Sequence, residues 1–382
     1  MTDPRIVVVN SITQQTAAEP ADYKTQMIID CNHLSFDRVK TYAVGGYDDL
    51  LDGSALKRAL DSAFSSEIKP AVVKVGRAKG KTIYTPATLV DGSSVGFSVE
   101  VLDGASATVN QVVVASNTVE EVLIIIKDTF DGITDISAHL TFTIVGSDDD
   151  AVLEITPIDS DDDYVISSFV GDYTLEFVAT ETASDTLDAV LDTGTGFSFL
   201  TSTNHVPAYQ LALAAKVQTL QYIKYFGSTQ LSAAYSDWDE VSVPSSDDIG
   251  GLLEFNGYNL SHTFYHNEAD TKYPEMQRVS RLTQFEPGRS NAQFKALNGV
   301  GLAQIADGSR PLNTAELINL QKRNVSTIVR FGGQSVIGGY EGQGNRMHGG
   351  VRIETVFWQH FASNRIKELT ETLFLKREKV GM

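Results

Sequence analysis

GGVRIETVFWQHFASNRIKELTETLFLKREKVGM, residues Gly349 to Met382, is the stretch on which the reading of the fold turns. A loop carrying Gly332, Gly333, Gly338, Gly339, Gly342 and Gly344 comes before it, Val351 to Glu354 alternate apolar and polar, and a long run without glycine or proline follows. In that run Trp358, Ala362, Ile366, Leu369 and Leu373 recur at steps of three and four, which predicts one face of an α-helix beginning near Thr355. Phe357 and Phe361 widen the stripe. The other side carries Asn364, Arg365, Lys367, Glu368, Lys376, Arg377 and Lys379. One face is therefore expected to pack on a broad surface and the other to meet water or a partner, with Trp358, Arg365, Lys367, Lys376 and Arg377 as candidate assembly residues.

Upstream, strand and helix signals alternate. Val325 to Phe331 reads as a strand, and Asn313 to Arg323 as a helix with Thr314 as its cap. Thr271 to Phe285 contains another helix, YPEMQRVSRLTQF, and Tyr258 to Tyr265 is a strand rich in aromatics. Leu211 to Tyr225 reads as helical or partly extended. At the front of the chain Asp48 to Phe64 has helical spacing, with Leu56, Leu60 and Phe64 on one face. Tyr23 to Leu34 and Ala71 to Gly76 flank it as strands. Before them RIVVVNSI, with Arg5, Ile6, Val7, Val8, Val9 and Ile12, is strand-like and is followed by a polar stretch, Thr13 to Asp22. Two readings stay open there: an arm that pairs with another sheet, or the first strand of the chain's own sheet.

Between these halves lies a segment of a different kind. From Ala87 to Leu200 there are 22 acidic residues against Lys127 alone, a local net of −21, so of the chain's net charge of −19 the rest carries only +2 and is near neutral. Phe97 to Leu102, Gln111 to Ala115, Leu140 to Val145, Ala151 to Thr156 and Tyr173 to Ala179 are short strand candidates separated by Asp, Gly, Ser and Asn. Val119 to Phe130 and Asp185 to Leu191 have helical spacing. The expected fold is thus mixed α/β and α+β: an arm, 1–22; a discontinuous α/β core built from 23–86 and 202–382; and an inserted β-rich acidic domain, 87–201. Its surface charge keeps it soluble and discourages edge-to-edge pairing of copies.

The 382 residues are 42% apolar, ordinary for globular protein. No window has the apolar length of a membrane span, and MTDPRIVVVNS lacks the order of a secretory signal, so an unexported chain without membrane insertion is expected. Cys31 is the single cysteine, which excludes an internal disulfide; it is read as a small apolar residue. His262 and His266 stand four apart, but HTFYH lacks the glutamate of a zinc hydrolase and its aromatics favour a strand. The clusters Asp148 to Asp150 and Asp161 to Asp163 lack the alternation and central glycine of a calcium loop and are read as solvated turns. The glycine loop holds no GxGxxG and no GK[ST], and no GxSxG occurs. Basic residues do not cluster with aromatics, so nucleic acid is not an expected partner. No catalytic, cofactor or metal residue is assigned, and an enzyme is not expected.

Four passages in this order resemble the tail-sheath proteins of contractile-tailed bacteriophages, in a divergent branch: VKTYAVGGYDDLLDGSALKRALDSAFSSEIKPAVVKVGR, the acidic β-rich insertion, TAELINLQKRNVSTIVRFGG, and GGVRIETVFWQHFASNRIKEL. In the last of these Trp358, Arg365 and Ile366 fall at the matching places of the family's tryptophan-containing helix. In sheath subunits more of the domain and a C-terminal arm follow this helix. The resemblance implies a virion protein assembled in the host cytoplasm, polymerising as stacked hexameric rings around a tail tube, with baseplate and tail terminator proteins as further partners. Arms that add strands to neighbouring sheets would keep copies joined while they slide and rotate in contraction. It also implies a core facing the tube and an insertion facing outward. The alternative kept beside it is another β-rich virion component, a baseplate or receptor-binding protein, using the acidic domain as a recognition head.

Overall fold

The computed structural model describes residues 24–87, 89–114, 117–220, 224–233, 242–284, 294–339 and 345–380, with side chains of the last helix described as far as 370 except 364, 365, 367 and 368. The front of the chain forms β1 (Gln26–Cys31), β2 (Val39–Ala43), α1 (Ala55–Phe64) and β3 (Val72–Ala78). Next come β4 (Gly80–Pro86), β5 (Ser94–Val101), β6 (Ser106–Val112), α2 (Val119–Asp131), α3 (Thr134–Ser137), β7 (Leu140–Val145), β8 (Val152–Pro157), β9 (Tyr164–Val170), β10 (Tyr173–Ala179) and α4 (Ala183–Asp192). The back of the chain supplies β11 (Phe199–Ser202), α5 (Pro207–Thr219), β12 (Tyr225–Gln230), α6 (Ile249–Phe255), β13 (Ser261–Tyr265), α7 (Ala269–Lys272) and α8 (Pro274–Thr283). It ends with α9 (Thr314–Lys322), β14 (Val325–Phe331), β15 (Gln334–Gly338) and α10 (Ile353–Val380). The described residues thus make a mixed α and β fold of ten helices and three sheets.

Two compact units divide the chain. The first takes its described residues from Met1–Met27, Arg58–Val73 and Gly196–Met382; the second consists of Ile28–Lys57 and Lys74–Thr195. In the first unit β11, β12, β13 and β14 run parallel, and β15 returns antiparallel on the edge. Parallel neighbours need a crossover, and α5, α6 and α8 lie in those connections. At the other end Ser198 and Phe199 donate their backbone N–H groups to the Thr25 carbonyl, so the start of β1 joins β11. The turn between β14 and β15 places Gly332 at φ 56 and Gly333 at φ 84, left-handed positions that glycine takes without a Cβ penalty. The expected cap of α9 is corrected: the Asn313 side chain, not Thr314, accepts the Glu316 N–H, and Glu316 reaches back to the Asn313 backbone in a capping box. The reason is register, since Asn313 still has extended backbone while Thr314 is already helical.

In the second unit β10-β4-β8-β7 form one antiparallel sheet and β6-β5-β9 another. β4 alternates buried and half-buried residues along its whole length, as a two-faced strand does. Its core lines up aromatics in a chain: Tyr84 tilted against Phe97 at 4.7 Å, Phe97 stacked on Phe130 at 5.3 Å, and Phe130 stacked on Phe142 at 5.0 Å. α2 brings Phe130 to that core together with Val122, Leu123 and Ile126, and Thr118 with Glu121 caps its start. Gly80 sits where a Cβ would lie 2.1 Å from the Val178 carbonyl oxygen, so close approach of β4 to β10 requires glycine.

The reading of Asp161 to Asp163 as a solvated turn is corrected for Asp163. It is buried and takes both Arg77 guanidinium nitrogens, Nη1 at 3.0 Å, while accepting the Tyr164 N–H at 2.9 Å. A buried arginine needs a counter-charge, and this carboxylate supplies it. Asp148 to Asp150 do form an exposed turn. Cys31 is half-buried, and burial followed by the neighbouring Asp30 carboxylate pushes its thiol far up, which keeps it protonated.

Candidate functional site

The last helix rests on the first unit by its opening turns. Ile353, Val356 and Phe357 join Phe199, Tyr225, Val279, Leu282 and Met347 in one buried cluster. Phe357 meets Phe199 edge-on at 5.1 Å and Tyr225 at 4.4 Å, and the Tyr225 hydroxyl lies 2.7 Å from His360 Nδ1. Positions 353, 356, 357 and 360 follow the i, i+3, i+4, i+7 pattern of a packed face. The packing stripe expected from the sequence is therefore corrected. Trp358 is 53% exposed, Ile366 65% and Leu369 64%. One cause shifts the face: the Phe199–Tyr225 pair receives Phe357, which turns Trp358 about 100° away, on a helix that starts at Ile353. Arg365, Lys367, Lys376 and Arg377 fall on α10 with their side chains outside the described residues, as are Arg5, Ile6, Val7, Val8, Val9 and Ile12 altogether.

Beneath this footing lies α8, whose sequence PEMQRVSRLT reads as a surface helix although all of it but Arg281 is buried. Gln277, Arg278, Ser280 and Arg281 each reach a different part of the unit. Ser280 Oγ donates to Gln26 Oε1 at 2.7 Å, and Gln277 Nε2 donates to Ser65 Oγ at 2.6 Å. Arg281 reaches the Ala296 carbonyl at 3.0 Å. Arg278, fully buried, donates from Nη1 to His262 Nδ1 at 2.9 Å and from Nη2 to Ser326 Oγ at 3.2 Å and Asn345 Oδ1 at 3.0 Å. No carboxylate among the described residues pairs with it, and burial pulls its pKa down to about 9. A cation held only by neutral acceptors is costly to bury, so this network fixes the helix in one register. Hydroxyls continue the network across the strands, where Thr263 Oγ1 lies 2.6 Å from Ser228 Oγ and 2.6 Å from His348 Nε2.

His262 and His266 do lie on and just after a strand, β13, and serve different partners. The first receives Arg278; the second lies 3.2 Å from the Gly301 carbonyl through Nε2 and accepts the Glu268 N–H at Nδ1. Burial pulls both rings down in pKa, His262 furthest. Among the described residues no group of three His, Cys, Asp or Glu could hold a metal ion, and no helix is long and apolar enough to cross a membrane. Sequence reasoning missed α8 as a centre because spacing reports apolar faces and is blind to polar side chains that bury themselves in pairs. The one available signal is its scarcity of apolar residues beside strands as polar as YFGSTQ and SHTFY.

Compared with known proteins, the sequence matches no protein-family model, and no curated protein matches it.

Proposed function

We propose that this chain is the structural subunit of a contractile phage tail sheath, polymerising as stacked hexameric rings around the tail tube and contracting to drive that tube through the host envelope. The observation that carries a self-assembling role is the exposed apolar set Trp358, Ile366 and Leu369 on a helix whose opening turns are packed through Ile353, Val356 and Phe357. Large exposed apolar side chains in line on one helix mark a surface made for a partner. The order of segments shared with sheath proteins narrows the partner to further copies, the tube, and the baseplate and terminator at the tail's ends. The discontinuous first unit, drawn from both sides of the acidic segment, agrees with this reading.

Electron microscopy of the purified full chain is the test. Striated tubes of the sheath type are expected, and removal of Thr2 to Ile12 is expected to abolish them while leaving a folded subunit. Discrete trimers or monomers would sink the sheath reading and fit instead a baseplate or receptor-binding component with the acidic module as its head.

A further inference from the structure

We infer that His205 is a protonation-dependent latch: its imidazolium ties together the two sides of the Tyr273–Pro274 corner and so fixes the footing of the C-terminal helix. His205 is buried in the loop between β11 and α5, where Gln210 Nε2 holds its carbonyl at 2.9 Å. Its Nδ1 lies 2.6 Å from Asp270 Oδ1, on α7, and its Nε2 lies 3.2 Å from Glu275 Oε1, in the first turn of α8. One ring thus bridges carboxylates that stand before and after a single corner.

That corner is strained. Tyr273 takes φ 48 and ψ 51, a left-handed conformation unusual for a bulky side chain and disfavoured again by the proline that follows. Such a residue persists only where its surroundings determine it. Ser62 Oγ donates to the Tyr273 carbonyl at 2.7 Å, and the Arg58 guanidinium lies over the Tyr273 ring at 5.8 Å. Glu275 is 2% exposed, and among the described residues neither of its oxygens sits in hydrogen-bond geometry with any donor, so its charge is met by the His205 ring 3.2 Å away rather than by a formed hydrogen bond. Helix α8 then carries Val279 and Leu282 rigidly from the corner to the cluster beneath Ile353, Val356 and Phe357.

A neutral imidazole donates from one nitrogen only, so losing the proton must strand one of the two carboxylates. The N–H that stays is the one in a formed hydrogen bond, Nδ1 to Asp270 at 2.6 Å, so the carboxylate that loses its facing charge is the buried Glu275, and a buried carboxylate without a counter-charge disfavours the packed position of its helix. The other charged groups facing the site do not replace the proton. Arg58, on α1, acts on Asp270; Lys272 pairs with Glu268 at 2.8 Å on α7; and His266, facing Glu275 from the end of β13, is itself pulled down by burial. Burial lowers the proton affinity of His205, but Asp270 and Glu275 outweigh it and bring it up to about 9.

Amide exchange of the full chain at pH 7 and pH 10, corrected for the intrinsic base-catalysed rate, tests the latch. Protection of Ile353–Phe361 is expected to fall at least about tenfold between the two, while β14 holds its protection. His205→Gln should show the lowered protection already at pH 7, leaving between pH 7 and pH 10 only the smaller fall that Arg278, itself pulled down to about 9 on the same helix, contributes in both proteins. Exchange at the imidazole C2 position of folded wild-type protein, which needs no variant, should titrate His205 near 9. Titration near the ordinary value of about 6.5, or protection of Ile353–Phe361 that tracks β14 at both pH values, overturns the inference.

Discussion

Phe357 and Trp358 are neighbours with opposite surroundings, and they separate stability from assembly. Phe357 fills an aromatic site, so Phe357→Ala should cost about 3–5 kcal/mol in urea unfolding of the full chain. Trp358→Ala removes an exposed side chain and should change stability by no more than about 0.5 kcal/mol while weakening self-association in sedimentation. In the second unit Asp163→Ala leaves the Arg77 guanidinium buried without its charge partner and should cost about 3–5 kcal/mol. Burial alone would raise the Asp163 carboxyl, but Arg77 outweighs it and holds it below the usual range. His33, stacked on Tyr164 at 4.1 Å, is held down at about 4 by burial and then by Arg77. The unfolded chain takes up that proton first, near pH ~6.5. Stability from neutral His33 is therefore complete above about pH 6.5 and is lost as pH falls from there toward 4. Region-resolved hydrogen exchange at pH 7, 5.5 and 4.5 should show the second unit loosening over that window. The partners of His33, Arg77 and Asp163 could not be foreseen, because residues so far apart in sequence leave no spacing to read.

Elements were legible where one face alone decides them. Leu56, Leu60 and Phe64 are buried on α1 as their period requires, and HTFYH forms a strand as its aromatics suggest. Two failures have local causes. The cap of α9 shifted by one residue because Asn and Thr both cap well and only backbone geometry chooses between them. Asn313→Ala should then cost about 1 kcal/mol in thermal or urea unfolding, and Thr314→Ala clearly less. The stripe on α10 shifted because the period of a helix fixes which residues share a face but not which face is seated; the aromatic pair beneath it makes that choice. Trp358, Ile366 and Leu369 keep the predicted period and still point to solvent.

At the scale of the whole molecule, charge is concentrated in one stretch of the chain, and the compact units do not follow that stretch's limits. The acidic run from Ala87 to Leu200 lies largely in the second unit, yet that unit also takes Ile28–Lys57, with five acidic residues against three basic, and Lys74–Pro86, with four basic and none acidic, neither of which shares the run's acidity. A concentrated charge of one sign sets a repulsion between copies that salt screens, with a Debye length of about 10 Å at 0.1 M and about 3 Å at 1 M. If copies associate, light scattering should find the onset of assembly at lower protein concentration in 0.5 M salt than in 0.05 M. Charge reversal of several exposed acids should flatten that dependence.

The way the two units share the chain bears on its birth. Every residue of the second unit has left the ribosome once Thr195 emerges, whereas the first unit still lacks β11 to β15 at that moment. The second unit can therefore fold on the nascent chain, while the start of β1 and most of α1 wait, without partners, for nearly half of translation. For that interval the polypeptide depends on its already folded acidic portion to stay in solution.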